Sequence, residues 1–242
     1  MKTLVVGDVH QKIDQVEKII SGWSDQIIFI GDYFDDFNDT PEDARRTAKW
    51  LKESLQKPNR IHLMGNHDYN YRIRPPGAYY CSGFTLEKYE VINLELTLSD
   101  WKMIKYFHHE KDSSTTYWFS HAGVSTHWFK HPVLGLTTEV IEKKVKEADE
   151  AIENRLFDSP QTACLTAVDM YRGGRCQKGG LLWNHWTNCE VFDGITQIVG
   201  HTTRDKIKIK RGKSFNSKTV NIDTHLKQFL IIDDGNLIIK NA

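Results

Sequence analysis

The sequence predicts an α/β fold, and three observations carry the prediction. Short apolar runs alternate with amphipathic helical segments through the N-terminal region, strand signals crowd the C-terminal end, and one apolar run after another stops at a polar cluster. Thr3 to Val6 (TLVV) reads as the first strand. KIDQVEKIISG follows, with Ile13, Val16, Ile19 and Ile20 at helical spacing and Gly22 as a stop signal. Gln26 to Ile30 (QIIFI) is the second strand. DTPEDARRTAKWLKESL then collects helix-start signals: Thr40 as N-cap, Pro41 in the first turn, and Glu42 and Asp43 against the dipole. Its Ala44, Ala48, Leu51 and Leu55 form one apolar stripe. Arg60 to Met64 (RIHLM) completes a strand–helix–strand–helix–strand series, which implies parallel pairing with right-handed crossovers.

Tyr69 to Tyr89 is dense in aromatics, contains a Pro-Pro pair, and reads as loop-rich, part of an insertion near 69–98. Ser99 is expected to cap a short helix over Asp100 to Phe107, and TTYWF (Thr115 to Phe119) to form a strand. A long helix begins at Thr137 or Thr138, with Ile141, Val145, Ala148 and Ile152 on one face. Glu139–Lys143 and Glu142–Lys146 pair on the other. TQIV, KIKIK and KTVNI are strands, and FLIIDDGNLIIK is a hairpin turning near Asp234–Gly235–Asn236. No repeat, low-complexity tract or linker breaks the pattern, so a single domain over residues 1–242 is expected.

Bulk properties exclude some functions. Lys+Arg and Asp+Glu balance at 32 each, so no global field favours nucleic acid or a membrane surface. The basic run KIKIKRGK, Lys206 to Lys213, reads as a strand whose lysines face water. No window approaches the ~18 apolar residues that span a bilayer, and MKTLVV has no targeting signature. Cys81, Cys164, Cys176 and Cys189 show no C-x-x-C spacing. A reduced, cytoplasmic protein is expected.

Five apolar runs end in groups able to bind metal: TLVV leads to GDVH, QIIFI to GDYFD, RIHLM to GNHD, TTYWF to SHAG and TQIV to GHTT. In parallel sheets, sites form beyond the carboxyl ends of strands, so Asp8, His10, Asp32, Asn66, His67, His121 and His201 can meet at one edge. Taken singly, a Gly-Asp pair is a common turn and a histidine a common core or surface residue. The repetition in order carries the metal reading. Oxygen and imidazole donors without sulfur suit Mn²⁺, Fe or Zn²⁺. Asp32 has two carboxylate oxygens and can bridge two ions about 3.5–4 Å apart. Asp35, three residues on, needs another partner, and a histidine is the natural one.

GDVH, GDYFD, GNHD, SHAG and GHT, spread from Gly7 to His201, resemble the signature of the metallophosphoesterase superfamily. Within it, GDYFD, HAG, LLWN (Leu181 to Asn184) and NIDT (Asn221 to Thr224) resemble the PPP-type branch. That branch holds serine/threonine protein phosphatases, phage and bacterial relatives and symmetrical diadenosine tetraphosphatases. The resemblance implies a two-sheet β-sandwich flanked by helices and a cofactor of two divalent ions, Mn²⁺ first. It implies that Asp8, His10 and Asp32 hold one ion, and Asp32, Asn66, His121 and His201 the other. His67 would be the general acid, paired with Asp35, and a hydroxide bridging the ions would attack phosphorus.

Two departures stand out. The branch's protein phosphatases continue GDYVD with Arg-Gly, whereas Asp36–Phe37 stand here, and NIDT is followed by His225 rather than glycine. Arg172 and Arg175 in YRGGRCQKGGLLW are the candidate replacements for the phosphate-binding arginine. Expected substrates are phosphomonoesters, including phosphoprotein. A second reading is hydrolysis of a nucleotide or nucleic-acid end, such as a dinucleoside polyphosphate or 2′,3′-cyclic phosphate. It rests on Tyr69, Tyr71, Tyr79, Tyr80 and Phe84 as stacking groups and on Arg72 and Arg74; packing of these aromatics onto the body is the alternative. A third reading, a scaffold without metals, would show itself by missing ligands, and none is missing.

Overall fold

The computed structural model describes residues 2–73, 80–112, 115–157 and 159–242. In chain order the strands are β1 (Thr3–Val6), β2 (Gln26–Phe29), β3 (Arg60–His62), β4 (Phe107–Lys111), β5 (Thr116–Ser120), β6 (Ile195–Val199), β7 (Lys208–Arg211), β8 (Lys218–Asn221), β9 (Gln228–Asp233) and β10 (Asn236–Asn241). The helices are α1 (Ile13–Ile20), α2 (Pro41–Leu55), α3 (Asn66–Ile73), α4 (Leu86–Glu95), α5 (Leu98–Met103), α6 (Thr126–Phe129), α7 (Thr138–Glu153) and α8 (Ala163–Thr166).

The chain divides into two units. The first comprises Met1–Lys105, Thr203–Ile207 and Ile222–Ala242; the second comprises Tyr106–Thr202 and Lys208–Asn221. Each is built on one mixed five-stranded sheet with helices, ordered β10-β9-β1-β2-β3 in the first and β4-β5-β6-β8-β7 in the second. The fold is therefore α/β, two mixed sheets flanked by helices.

In the first sheet β1, β2 and β3 run parallel, as the strand–helix alternation requires. Leu4, Val5, Val6, Ile28 and Phe29 are fully buried, which is why these strands are unbroken apolar runs rather than alternating ones. β9 joins β1 antiparallel and turns into β10 through Asp234 and Gly235, both at positive φ. That backbone pair suits a two-residue hairpin turn, and an Asp-Gly sequence favours it. In the second sheet the parallel trio is β5, β6 and β8, edged by antiparallel β4 and β7.

Helix ends follow local chemistry. Thr40 caps α2 in a reciprocal capping box with Asp43, and Thr137 caps α7 by accepting from the Val140 N–H. α5 differs from expectation: Thr97, not Ser99, caps it, because Thr97 and Asp100 form a second capping box. The helix ends at Met103, and Phe107 opens β4, where a helix end was expected. The segment read as loop-rich carries α3 to Ile73 and the whole of α4. On α7 the salt links are Lys143–Glu147 and Lys146–Glu150, while Glu142 meets His109. Lys210 on β7 does not face water as expected; its Nζ donates to the carbonyls of Trp186, Thr187 and Cys189. Among the described residues no helix is long and apolar enough to cross a membrane.

Candidate metal centre

In the first unit the carboxyl ends of β1, β2 and β3 lie side by side, so the residues that follow them are neighbours. Asp8, His10 and Asp32 present ligand atoms all within 4.8 Å of one another. Asp8 and Asp32 are each 2% exposed. Two buried carboxylates beside an imidazole form a costly group unless a counter-charge sits among them, and hard oxygen donors with one imidazole are the set that a divalent cation satisfies. His10 is prepared for the role. Its Nδ1 lies 2.7 Å from the carbonyl oxygen of Asp35, so Nδ1 carries the proton it donates. Nε2, 3.9 Å from Asp32 Oδ2, is left as the basic nitrogen.

Glycine explains how the loops come so close. A Cβ on Gly65 would lie 2.1 Å from Asp32 Oδ1, and one on Gly31 would lie 2.6 Å from the Gly65 nitrogen. A side chain at Gly65 would displace Asp32, and one at Gly31 would push away the Gly65 backbone. The backbone is also left-handed at His10, Asp32 and Asp35.

Asp68, the last residue of GNHD, is fully buried and ties two of these loops together. Its Oδ1 accepts from the Tyr33 N–H at 2.7 Å and its Oδ2 from the Gly65 N–H at 2.8 Å. Asp32 Oδ1 accepts from the His67 N–H at 3.0 Å. Asn66 is buried, and its Nδ2 donates to the Cys81 sulfur at 3.1 Å, which turns the amide's nitrogen end toward the thiol. Burial pushes the Cys81 thiol well above its ordinary value, so it is a neutral partner.

His67 and Asp35 form the expected pair, with Nδ1 and Oδ2 at 2.9 Å. Burial opposes charge on this imidazole, but Asp32 and the hydrogen bond to Asp35 outweigh it and raise its pKa above the ordinary histidine value. The other Asp35 oxygen accepts from the Tyr71 hydroxyl at 2.6 Å and the Lys88 ammonium at 2.7 Å. Sequence reasoning overlooked both. Tyr71 was within reach, four residues after His67 on one helix; a lysine on an unpredicted helix gave no signal.

Asp36 is matched by Lys12, whose Nζ lies 3.0 Å from its Oδ2. Partial burial opposes the charge of Asp36, but the bonds from Lys12 and the Phe37 N–H prevail and hold its carboxyl below the usual range.

In the second unit SHAG and GHTT follow the neighbouring parallel strands β5 and β6. His121, fully buried, has Nε2 3.2 Å from Nδ1 of His201. The His201 ring also meets Trp183 edge to face at 5.8 Å, and its backbone is left-handed. Arg172 Nη2 donates to the His201 carbonyl at 2.5 Å and to the Thr202 hydroxyl at 3.2 Å; Arg175 is exposed. His225, in the first unit, is exposed as well.

The aromatic residues after GNHD mostly face inward. Tyr69 and Tyr71 are buried, and Phe84 stacks on Tyr71 and on Tyr80. Arg72 is buried too, and Arg74 and Tyr79 lie outside the described residues.

Residues 1–205 match the family model of calcineurin-like phosphoesterases, and the chain belongs to that metallophosphoesterase family. Among solved structures it resembles a cold-active protein tyrosine phosphatase, with a TM-score of 0.63 at 16% identity over 99% of this chain and 77% of that one. A serine/threonine phosphatase from Saccharomyces cerevisiae gives a TM-score of 0.50 at 14% identity, over 99% and 79%. At such identities the likeness shows the fold alone. No curated protein matches this chain.

Proposed function

We propose that this chain is a binuclear metal-dependent phosphatase that hydrolyses phosphomonoesters. The observation that carries the reading is the joint presence, at one sheet edge, of the Asp8–His10–Asp32 ligand group and the His67–Asp35 pair. Asp8, His10 and Asp32 would hold one ion. Asp32, Asn66, His121 and His201 are assigned the second by the motifs in which they stand. Mn²⁺ is the first candidate, with Fe or Zn²⁺ as alternatives for this oxygen and imidazole set.

When bound, a pair of divalent ions supplies Lewis acidity and brings the pKa of water toward neutrality. The chain's own residues do the rest. Asp8 and Asp32 contribute two negative charges and Asn66 none, so a loaded site remains cationic and attracts phosphate. His67 gives its Nδ1 proton in a hydrogen bond to Asp35, which leaves Nε2–H to protonate the departing oxygen. Arg172, held by the His201 carbonyl, is the better phosphate clamp of the two arginines, because its guanidinium is already oriented.

Phosphoprotein is the first substrate class to try, since both neighbours described above are named as protein phosphatases. The nucleotide reading is weaker because its stacking residues are largely consumed by packing against one another. The test is metal analysis of the purified protein, followed by turnover with Mn²⁺ of nitrophenyl phosphate, its bis-ester, a phosphopeptide and diadenosine tetraphosphate. Monoester turnover with about two bound ions supports the proposal. Preference for the bis-ester or the dinucleotide moves it to the second reading, and no metal with no turnover leaves a scaffold. His67→Ala should keep the metal and slow alkyl phosphates by about a hundredfold or more, with a smaller loss for nitrophenyl phosphate, whose good leaving group needs less help.

A further inference from the structure

We propose that Lys88 is a positioning residue for phosphoester hydrolysis: with Tyr71 it fixes the Asp35 carboxylate, and through it the ring of His67. The inference rests on His67 being the acid of the proposed reaction.

Lys88 lies in the first turn of α4, yet it is only 2% exposed. Helix lysines normally carry the ammonium out to water on a flexible stem, and burying one is costly unless it is well paired. Here Nζ lies 2.7 Å from Asp35 Oδ1 and 2.9 and 3.0 Å from the two oxygens of Asp39. An ammonium has three N–H donors and no acceptor, and two carboxylates absorb them. Asp39 is itself held by Gln11 Nε2 at 2.6 Å.

The consequence falls on Asp35. One oxygen faces His67 Nδ1, and the other is taken by an ammonium and a phenol, so rotation of the carboxylate would break bonds on both sides. The same segment closes the space behind it, since a Cβ on Gly83 would lie 2.9 Å from Asp35 Cβ. Without Lys88 the ammonium that holds Asp35 Oδ1 and both oxygens of Asp39 is gone, and the Asp35 carboxylate is free to turn. That removes the fixed acceptor that aims His67 Nε2 at the leaving oxygen.

The experiment compares Lys88→Met, Lys88→Arg and Tyr71→Phe with His67→Ala in the Mn²⁺-loaded full chain. It reads kcat and KM for an alkyl phosphate and for nitrophenyl phosphate, together with metal content and thermal melting. Lys88→Met should lower kcat on the alkyl phosphate by about ten- to a hundredfold, the range typical when supporting partners are lost. Nitrophenyl phosphate should fall less, KM and metal content should hold, and Lys88→Arg should recover part of the rate. In a His67→Ala background the lysine change should add nothing. Equal losses on both substrates, full additivity with His67→Ala, or a lower melting point with unchanged kcat would overturn the proposal. If Lys88→Met does not fold, the same substrate contrast in Tyr71→Phe decides. Should His67→Ala alone slow both substrates equally, the acid assignment itself fails, and that is visible in the reference variant without any lysine change.

Discussion

The two units solve the same topological problem with different chemistry. Each places its candidate ligands just beyond the carboxyl ends of adjacent parallel strands, β1 to β3 in one and β5 and β6 in the other. The first unit offers carboxylates with an imidazole, braced by backbone N–H bonds to buried Asp68 and by the buried Asp35–Lys88 ion pair. The second offers two imidazoles in contact with each other, braced by the Trp183 ring and by Arg172, which donates to the His201 carbonyl. The difference teaches where the cost of the site lies. Like-charged oxygens brought together out of water need a framework and a cation, whereas imidazoles carry no obligatory charge and are held by packing and hydrogen bonds.

The largest contrast should appear on removing a ligand from each side. Asp32→Ala should abolish metal retention and reduce turnover about a thousandfold or more, several kcal/mol of transition-state stabilisation. His201→Ala should leave about one ion per chain in place by elemental analysis. If both variants lose all their metal, the two halves do not differ in the way described.

A pH effect separates the units more finely. His62, on β3, is fully enclosed, stacked 4.6 Å from Phe29 and bonded to Tyr33 and Ser54. Burial, helped by Arg60, lowers its pKa to about 3. A base that is hard to protonate when folded, but ordinary when unfolded, makes the unfolded state bind the extra proton between about pH 6.5 and 3. Stability from this group is therefore complete above pH 6.5 and lost as pH falls, at up to about 1.4 kcal/mol per unit. His62→Gln should flatten that part of the urea-unfolding profile; an unchanged slope would refute the assignment.

Next in size are the buried struts. Asp68→Ala strands N–H groups of two loops and should cost about 3 kcal/mol in urea unfolding. Gln197 does a comparable job in the second unit, accepting from the Val124 N–H and donating to the Glu190 carbonyl, both at 2.9 Å. Being neutral, it should cost about 1–2 kcal/mol on truncation. The smallest contrast is at helix caps: Thr40→Ala and Thr137→Ala should each cost about 1 kcal/mol, the first slightly more because its box with Asp43 is reciprocal.

Much of the fold and the clustering of Asp8, His10 and Asp32 was legible because each strand exit repeats one local grammar, an apolar run, a tight turn and a donor. What escaped has a physical reason. α4 buries Lys88 and Ile92, so its inward face mixes charge with hydrocarbon and shows no apolar stripe. FHHEK reads as polar because β4 is an edge strand, paired among the described residues with β5 alone. Ser99 lost to Thr97 because a cap is chosen by what sits three residues later. Lys210 looked solvated because its carbonyl partners come from a distant loop. Pairings across long sequence separations, like that of Lys88 with Asp35, leave no periodic trace.

The left-handed backbone at His10, Asp32, Asp35 and His201 bears on how this protein can change. Aspartate, asparagine and histidine are the non-glycine residues that best tolerate such geometry, and they are also the donors a divalent ion prefers. Substitution by a branched residue there is penalised twice, by backbone strain and by lost chemistry. Asparagine fits the turn while withdrawing charge. A lineage released from selection for turnover would thus be expected to keep its shape and drift toward amides and glycine at these corners, ending as a sturdier but silent descendant.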